Sequence, residues 1–306
     1  MLTFDVAETS GGHRLDRFLA DQLTEISRTV LARLVDEGRA RVDGAAATRK
    51  TRLKSGQHVE FDLPDLASGE TAIKPQSMPI TYLHEDADIA VVAKDAGICV
   101  HPSPGHLDGT LVNGLIHRHP KMAFVGSMQR PGVVHRLDMN TSGVIILALT
   151  SLAYHNLVRQ IKDRAVKREY LAVVHGIPEH VKATINMPIG RDESDRRRFT
   201  VRSHAGEGGA RNAITHYEVA ERLRAAAVLA VTLETGRTHQ IRVHMKRIKH
   251  PVWGDTVYAP DRQHPGIDRQ ALHARRVTFR HPVTRKTVSF EAPVPQDIRA
   301  LIESLR

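Results

Sequence analysis

Apolar residues first recur at helical spacing in "HRLDRFLADQLTEISRTVLARLVDEGRARVDG". Leu15, Phe18, Leu19 and Leu23 form one stripe, and Val30, Leu31 and Leu34 a second. Ser27 is placed to cap the second helix and Gly38 to stop it. The segments "RARVDG" and "HVEFDLP" then alternate like strands. "DLASGETAIKPQSMP", from residue 65, is polar, holds two prolines and has no apolar period, so it reads as a linker. From "ITYLHEDADIAVVAKDAGICVH" onward, strand-like runs are broken by acidic and glycine turns. "VKREYLAVVHG" alternates so that Tyr170, Ala172 and Val174 share one face. "LVRQIKDR" and "HQIRVHMKRIKH" are the clearest helices of this region, and no period signals repeats. The charged stretch from 190 to 213, with Arg196, Arg197 and Arg198, reads as an exposed arm or long hairpin.

Composition narrows the class. Over 306 residues, 41% hydrophobic content suits a large domain plus a small one rather than a disordered chain. A net charge of +10 favours a polyanionic partner: RNA, DNA or an anionic membrane face. Cys99 is the only cysteine, which excludes an internal disulfide and a cysteine zinc site and fits a reducing, cytoplasmic location. The start is not a signal peptide, and the longest apolar stretch, "AAAVLAVTL", is far short of a span, so no membrane partner is expected. The 19 histidines give no compact ligand set, "HRHP" at 117–120 being the densest, so no metal is expected.

The tetrapeptide "HRLD" occurs twice, ending in Asp16 and in Asp138. Asp16 falls off the apolar stripe of its helix and reads as a solvated acid, part of the scaffold. Asp138 stands in "PGVVHRLDMNTSGVIILAL", on a polar block between two buried-looking runs. A carboxylate there is partly desolvated, which is costly unless a cation sits close, and so points to chemistry. Arg242, in "LETGRTHQIRVHM", is a candidate cation. Thr238 would cap its helix, whose inner face carries Ile241, Met245 and Ile248. Taken alone, Arg242 reads as a surface residue and Tyr170 as a core tyrosine.

Two resemblances add to this. Residues 12–64, through "RLDRFLA", "ISRTVLARLVDEGRARVDG" and "KSGQHVEFDLP", resemble the small S-four-like RNA-binding domain. That resemblance implies an RNA-facing surface bordered by Arg28, Arg39 and Arg41. Residues 79–306, after a linker at 65–78, resemble the RluA family of RNA pseudouridine synthases. The resemblance rests on "GICVHPSPGHLDGTLVNGL", "RPGVVHRLDMNTSG", "KREYLAVVHG", "GRTHQIRVH", "HPVWGDTVY" and "ALHARRVTFRHPVT", in the family's order. It implies an α+β fold with a mixed, mainly antiparallel central sheet flanked by helices. It implies Asp138 as catalytic aspartate, Tyr170 as the ring packing on the target base, and Arg242 as the cation paired with the aspartate. Ile241, His135, Thr141 and Ser142 would border the substrate, and Arg136 would hold the RNA with its target nucleotide displaced. Asp95, Leu149 and Lys249 depart from the family's usual proline, basic residue and glycine.

The implied reaction cleaves a uridine's nitrogen–ribose bond, turns the ring and rejoins it through carbon five. No atoms are gained or lost, so no cofactor is expected. A carboxylate can attack an electrophilic carbon and leave again. Which carbon it attacks stays open. The implied partner is RNA, by domain order large-subunit ribosomal RNA or a pre-ribosomal particle, met by a monomer. Two rivals remain: an N-glycosidase using a second carboxylate, for which Glu234 is the nearest candidate, and a binding-only assembly factor with a dead site.

Overall fold

A computed structural model describes the chain except residues 25, 65–72, 196–197 and 263–265. Most of the linker stretch and two arginines of the expected arm therefore lie outside the described residues. Near the N-terminus β1 (Leu2–Asp5), α1 (Leu15–Gln22), α2 (Arg28–Asp36), β2 (Ala40–Val42), β3 (Ala45–Ala46) and β4 (His58–Phe61) form one unit. Its sheet runs β1-β4-β2-β3. β1 precedes residue 12, so this sheet draws on chain outside the 12–64 stretch. The two apolar stripes meet over the sheet, burying Leu15, Phe18, Leu19, Leu31 and Leu34 in a core of their own. Ser27 caps α2, accepting from Val30 N, and Gly38 follows the helix at φ +83°. The Ser27 hydroxyl also donates to Gly126 O at 2.8 Å, and Phe124 sits in the small core, so the unit is docked on the rest of the chain.

Asp16 is not the solvated acid expected. Only 4% exposed, it takes hydrogen bonds from Arg14 and from Arg28. The partner twelve residues away explains why the sequence hid this: only the α1–α2 packing brings Arg28 over the carboxylate.

The larger part begins with β5 (Thr81–Glu85) and β6 (Ile89–Lys94), then α3 (Leu111–Arg118), the short pair β7 (Gly126–Ser127) and β8 (Arg130–Pro131), and β9 (Ser142–Ala148). There follow α4 (Ser151–Lys162), β10 (Lys167–His175), β11 (Lys182–Asn186), the hairpin β12 (Ile189–Arg191) and β13 (Phe199–Val201), β14 (Ile214–Leu223) and β15 (Ala226–Leu233). α5 (Gln240–Arg247), β16 (Leu272–Arg280), β17 (Thr287–Glu291) and α6 (Gln296–Ser304) complete it. The main sheet runs β11-β14-β15-β10-β16-β9-β6-β5, with β17 also on β16. Its pairings are antiparallel except β16 with β9, so the α+β, mainly antiparallel class holds. Alternation along β10 sends Tyr170, Ala172 and Val174 into the large core and Val173 to a second core under α6. Ile73, within the expected linker, is buried in the large core, and Lys74 O accepts from Asn113.

The parallel seam is short: His273 opposes Ser142 and Ala274 opposes Gly143. Gly143 sits there at φ +120°, and a Cβ would lie 2.2 Å from Ala274 O. Only glycine lets the two halves of the sheet close at this point. The loop carrying Asp138 enters β9 at the same seam.

Candidate active site

The block "HRLDMNT" cannot continue the buried strand pattern, so it forms a loop, and that loop is tied down through its carbonyls. Asp138 O accepts from Thr141 N, Met139 O from Gly97 N and from Lys94 Nζ, and Asn140 O from Arg269 Nη1. Thr141 Oγ1 takes a further hydrogen bond from Gln270. Lys94 is buried, its ammonium also held by the carbonyls of Asp95 and Ile98, and burial pushes it down to about 8.

Arg242 comes from the opposite side, in the first turn of α5. The expected Thr238 cap is absent. α5 starts at Gln240, and its N-cap is His239 at φ +55°. The buried Gln240 carboxamide does the holding, accepting from Arg237 N and Thr235 Oγ1 and donating to Ile214 O and Thr215 Oγ1. Arg242 is 4% exposed, not a surface residue. Its Nη1 donates to Asp138 Oδ2 at 3.1 Å. Its Nε and Nη2 form a fork on Asp255 at 2.7 and 2.9 Å. Asp255 is fully buried and also accepts from Val257 N and Tyr258 N. Burial alone would lower the Arg242 guanidinium, but Asp255 and Asp138 hold it above its ordinary range.

This arrangement partitions the charge. Were the fork turned on Asp138, both carboxylate oxygens would be engaged. Instead Asp255 takes it, and Asp138 receives a single N–H, leaving its Oδ1 without a hydrogen bond among the described residues. Sequence reading missed Asp255 and Lys94. The only signal for Asp255 was its place in "HPVWGDTVY".

Asp138, Tyr170, Arg242, Ile241, Arg136 and Thr141 line one open cleft of about 490 Å³. Tyr170 is buried in the sheet and lines the cleft, and burial pushes its phenol up. His135 and Ser142 are not on that wall. His135 lines a neighbouring cavity, its Nε2 accepting from Ile146 N, and Ser142 donates to His273 at the seam. His273 Nε2 donates to Ala292 O, which fixes Nδ1 as the acceptor. Arg28, Arg39 and Arg41 belong to the N-terminal unit. Arg28 and Arg39 are paired with Asp16 and Asp62, and Arg41 is exposed. Glu234, the possible second carboxylate, pairs with His216 and Arg164 and does not line the Asp138 cleft.

Among the described residues, His84, Asp86 and His281 are close enough to share a cation. The lone pairs of Asp86 and His281 are already used. His281 Nδ1 accepts from Val283 N and Thr284 N, so its Nε2 carries hydrogen and donates to Asp86 at 2.8 Å. The trio reads as a clamp between two turns. No helix among the described residues is long and apolar enough to cross a membrane.

Comparison with known proteins gives a consistent answer. Residues 88–247 match a family model described as RNA pseudouridylate synthase. An uncharacterized RNA pseudouridine synthase of Bacillus subtilis is 42% identical, over 98% of this chain and 96% of that protein. A protein of Xanthomonas campestris named ribosomal large subunit pseudouridine synthase D is 41% identical, over 98% and 91%. Among solved structures, human RNA pseudouridylate synthase domain containing 1 superposes with a TM-score of 0.56. It is 26% identical and covers 76% of this chain and 98% of its own.

Proposed function

The chain belongs to the RluA family of RNA pseudouridine synthases, and from that premise we propose that Asp138 is the nucleophile by which it isomerises uridines of large-subunit ribosomal RNA. It is an isomerase acting on RNA. The observation that carries the nucleophile is the divided guanidinium: Arg242 spends its fork on Asp255 and a single N–H on Asp138. That contact aims the carboxylate while one oxygen stays available for attack.

The target uridine leaves its stack to reach this cleft, at a cost of a few kcal/mol. Tyr170 meets the base as a neutral phenol, stacking through its ring. Its hydroxyl relays the proton that leaves carbon five once the new bond has formed. Ile241 supports the base edge, and Arg136, exposed at the mouth, holds the displaced strand. Residues 12–64 act as an RNA-binding domain whose RNA-facing surface is bordered by Arg28, Arg39 and Arg41, 65–78 as the connector, and 79–306 as the catalytic domain. The name of the Xanthomonas campestris relative supports the ribosomal target, and with that target goes our reading of a cytoplasmic monomer. The hydrolase rival loses ground because Glu234 is committed elsewhere.

Pseudouridine mapping of total RNA from cells with and without the gene tests the reading. Sites in large-subunit ribosomal RNA should vanish on deletion. Loss confined to transfer RNA would refute the target, and release of free uracil by the purified protein would refute isomerisation.

A further inference from the structure

Arg168 lies two residues before Tyr170 on β10 and lines the same cleft. It is 6% exposed, yet no carboxylate lies within ion-pair distance of it among the described residues. Its Nε has no hydrogen-bond partner, and Nη2 makes only long contacts, 3.5 Å to Leu233 O and 3.4 Å to Glu234 O. A buried cation without a counter-ion is costly, so a native protein that keeps one has a ligand to supply the anion.

The surroundings say which kind. Arg168 stands at the junction of the Asp138 cleft with a second cavity of about 1150 Å³, shared through Arg136, Gly236 and Arg237. Arg130 and Lys162 add two more cations to that cavity, and neither has a carboxylate partner among the described residues. Its one acid, Glu234, is already matched by Arg164. The cavity is thus strongly positive and opens beside the stacking tyrosine. Two strand residues span about 7 Å, comparable with the reach from a nucleotide's base to its own phosphate.

Gly236 supplies an independent sign. Its φ is not in the left-handed region, so the backbone does not require glycine there. A Cβ, however, would lie 2.8 Å from Arg168 Nη1. The glycine makes room for the guanidinium.

We propose that Arg168, seated over Gly236, binds an RNA phosphodiester flanking the displaced uridine, and that the second cavity is the track for that backbone. This rests on the RNA-isomerase reading and adds a subsite to it. Gly236 is a positioning residue, acting through Arg168.

The test measures binding of an unmodified large-subunit ribosomal RNA transcript, and of an oligouridylate, across a salt series. Arg168→Met should weaken binding roughly ten- to a hundredfold, the loss of a charged hydrogen-bonding pair. The slope of log affinity against log salt should become shallower by about 0.7–0.9, one phosphate contact. Arg168→Lys should keep the slope. Gly236→Ala should weaken binding in the parent and add nothing on top of Arg168→Met. Should Arg168→Met fail to melt as a folded protein, the lysine variant and Gly236→Ala still decide. A folded Arg168→Met with parental affinity and slope overturns the proposal, as does a Gly236→Ala penalty that persists without Arg168. Pseudouridine formation by the parent is read separately. Its failure would refute the functional reading while leaving the salt comparison intact.

Discussion

Replacing Asp255 with Asn probes the divided guanidinium most sharply. Asn keeps the volume, and its carbonyl can still accept from Val257 N and Tyr258 N. Its amide then faces Arg242 Nε, which donated to Asp255 Oδ2 at 2.7 Å. One charge-assisted bond becomes a donor–donor contact inside the protein. Breaking a buried pair costs about 3–5 kcal/mol. Asp138 remains as a partner, so the low end applies: about 3 kcal/mol, or a Tm drop on the order of 6–12 °C. Held only through Nη2, the guanidinium can swing onto Asp138 and engage both its oxygens. The single-turnover rate should therefore fall by roughly 10²-fold or more, the cost of a misplaced reacting group, while RNA affinity stays near the parent's. Tritium release from RNA carrying 5-tritiated uridine reports the rate, because the new bond at carbon five forces that hydrogen off. Parental rate and parental melting in Asp255→Asn would refute the reasoning.

Tyr170→Phe should bind RNA nearly as well as the parent but turn over roughly 10²–10⁴-fold more slowly, whereas Tyr170→Leu should lose affinity as well. A Phe variant with parental rate and a lowered melting point would return Tyr170 to a core role. Asp16→Ala leaves Arg14 and Arg28 without their buried acceptor and should cost about 1–3 kcal/mol in urea melts, with tritium release at saturating RNA close to normal. A fall in that rate matching the Asp138 variant's would contradict the scaffold role. Burial would raise the Asp86 carboxyl, but hydrogen bonds from His84, Asp88 N, Ile89 N and His281 hold it at about 2. Its contribution is thus present above the ordinary carboxylate range and lost as pH falls towards 2. Discounted for solvent, parent and Asp86→Asn should differ by on the order of 1 kcal/mol at neutral pH, the gap closing in acid. A gap that widened in acid would contradict the assignment.

Local periodicity made much of this fold legible. The stripes of α1 and α2, the Ser27 cap and the two faces of β10 all follow from spacing alone. The paired roles of Asp138 and Arg242 came from resemblance, since their contact joins residues 104 positions apart. What stayed hidden depends on packing between distant segments. Asp16 is off its helix's apolar stripe yet buried, because Arg28 closes over it. Thr238 has the chemistry of a cap, but the buried Gln240 amide satisfies the turn and leaves His239 in the left-handed region. Asp255 is a single charge in a loop and Lys94 one at the end of β6, and nothing local distinguishes them from solvated ones. Nothing local marks Gly143 or Gly236 out until the Ala274 backbone and the Arg168 guanidinium are seen against them.

The most direct measurement is single-turnover tritium release by Asp138→Ala at saturating RNA, with its melting curve alongside. Asp138 lies on a tethered loop at the cleft, its side chain 17% exposed, so the variant should stay folded and bind RNA. The account predicts no release above background and no pseudouridine in the recovered RNA. Release near the parental rate would contradict it.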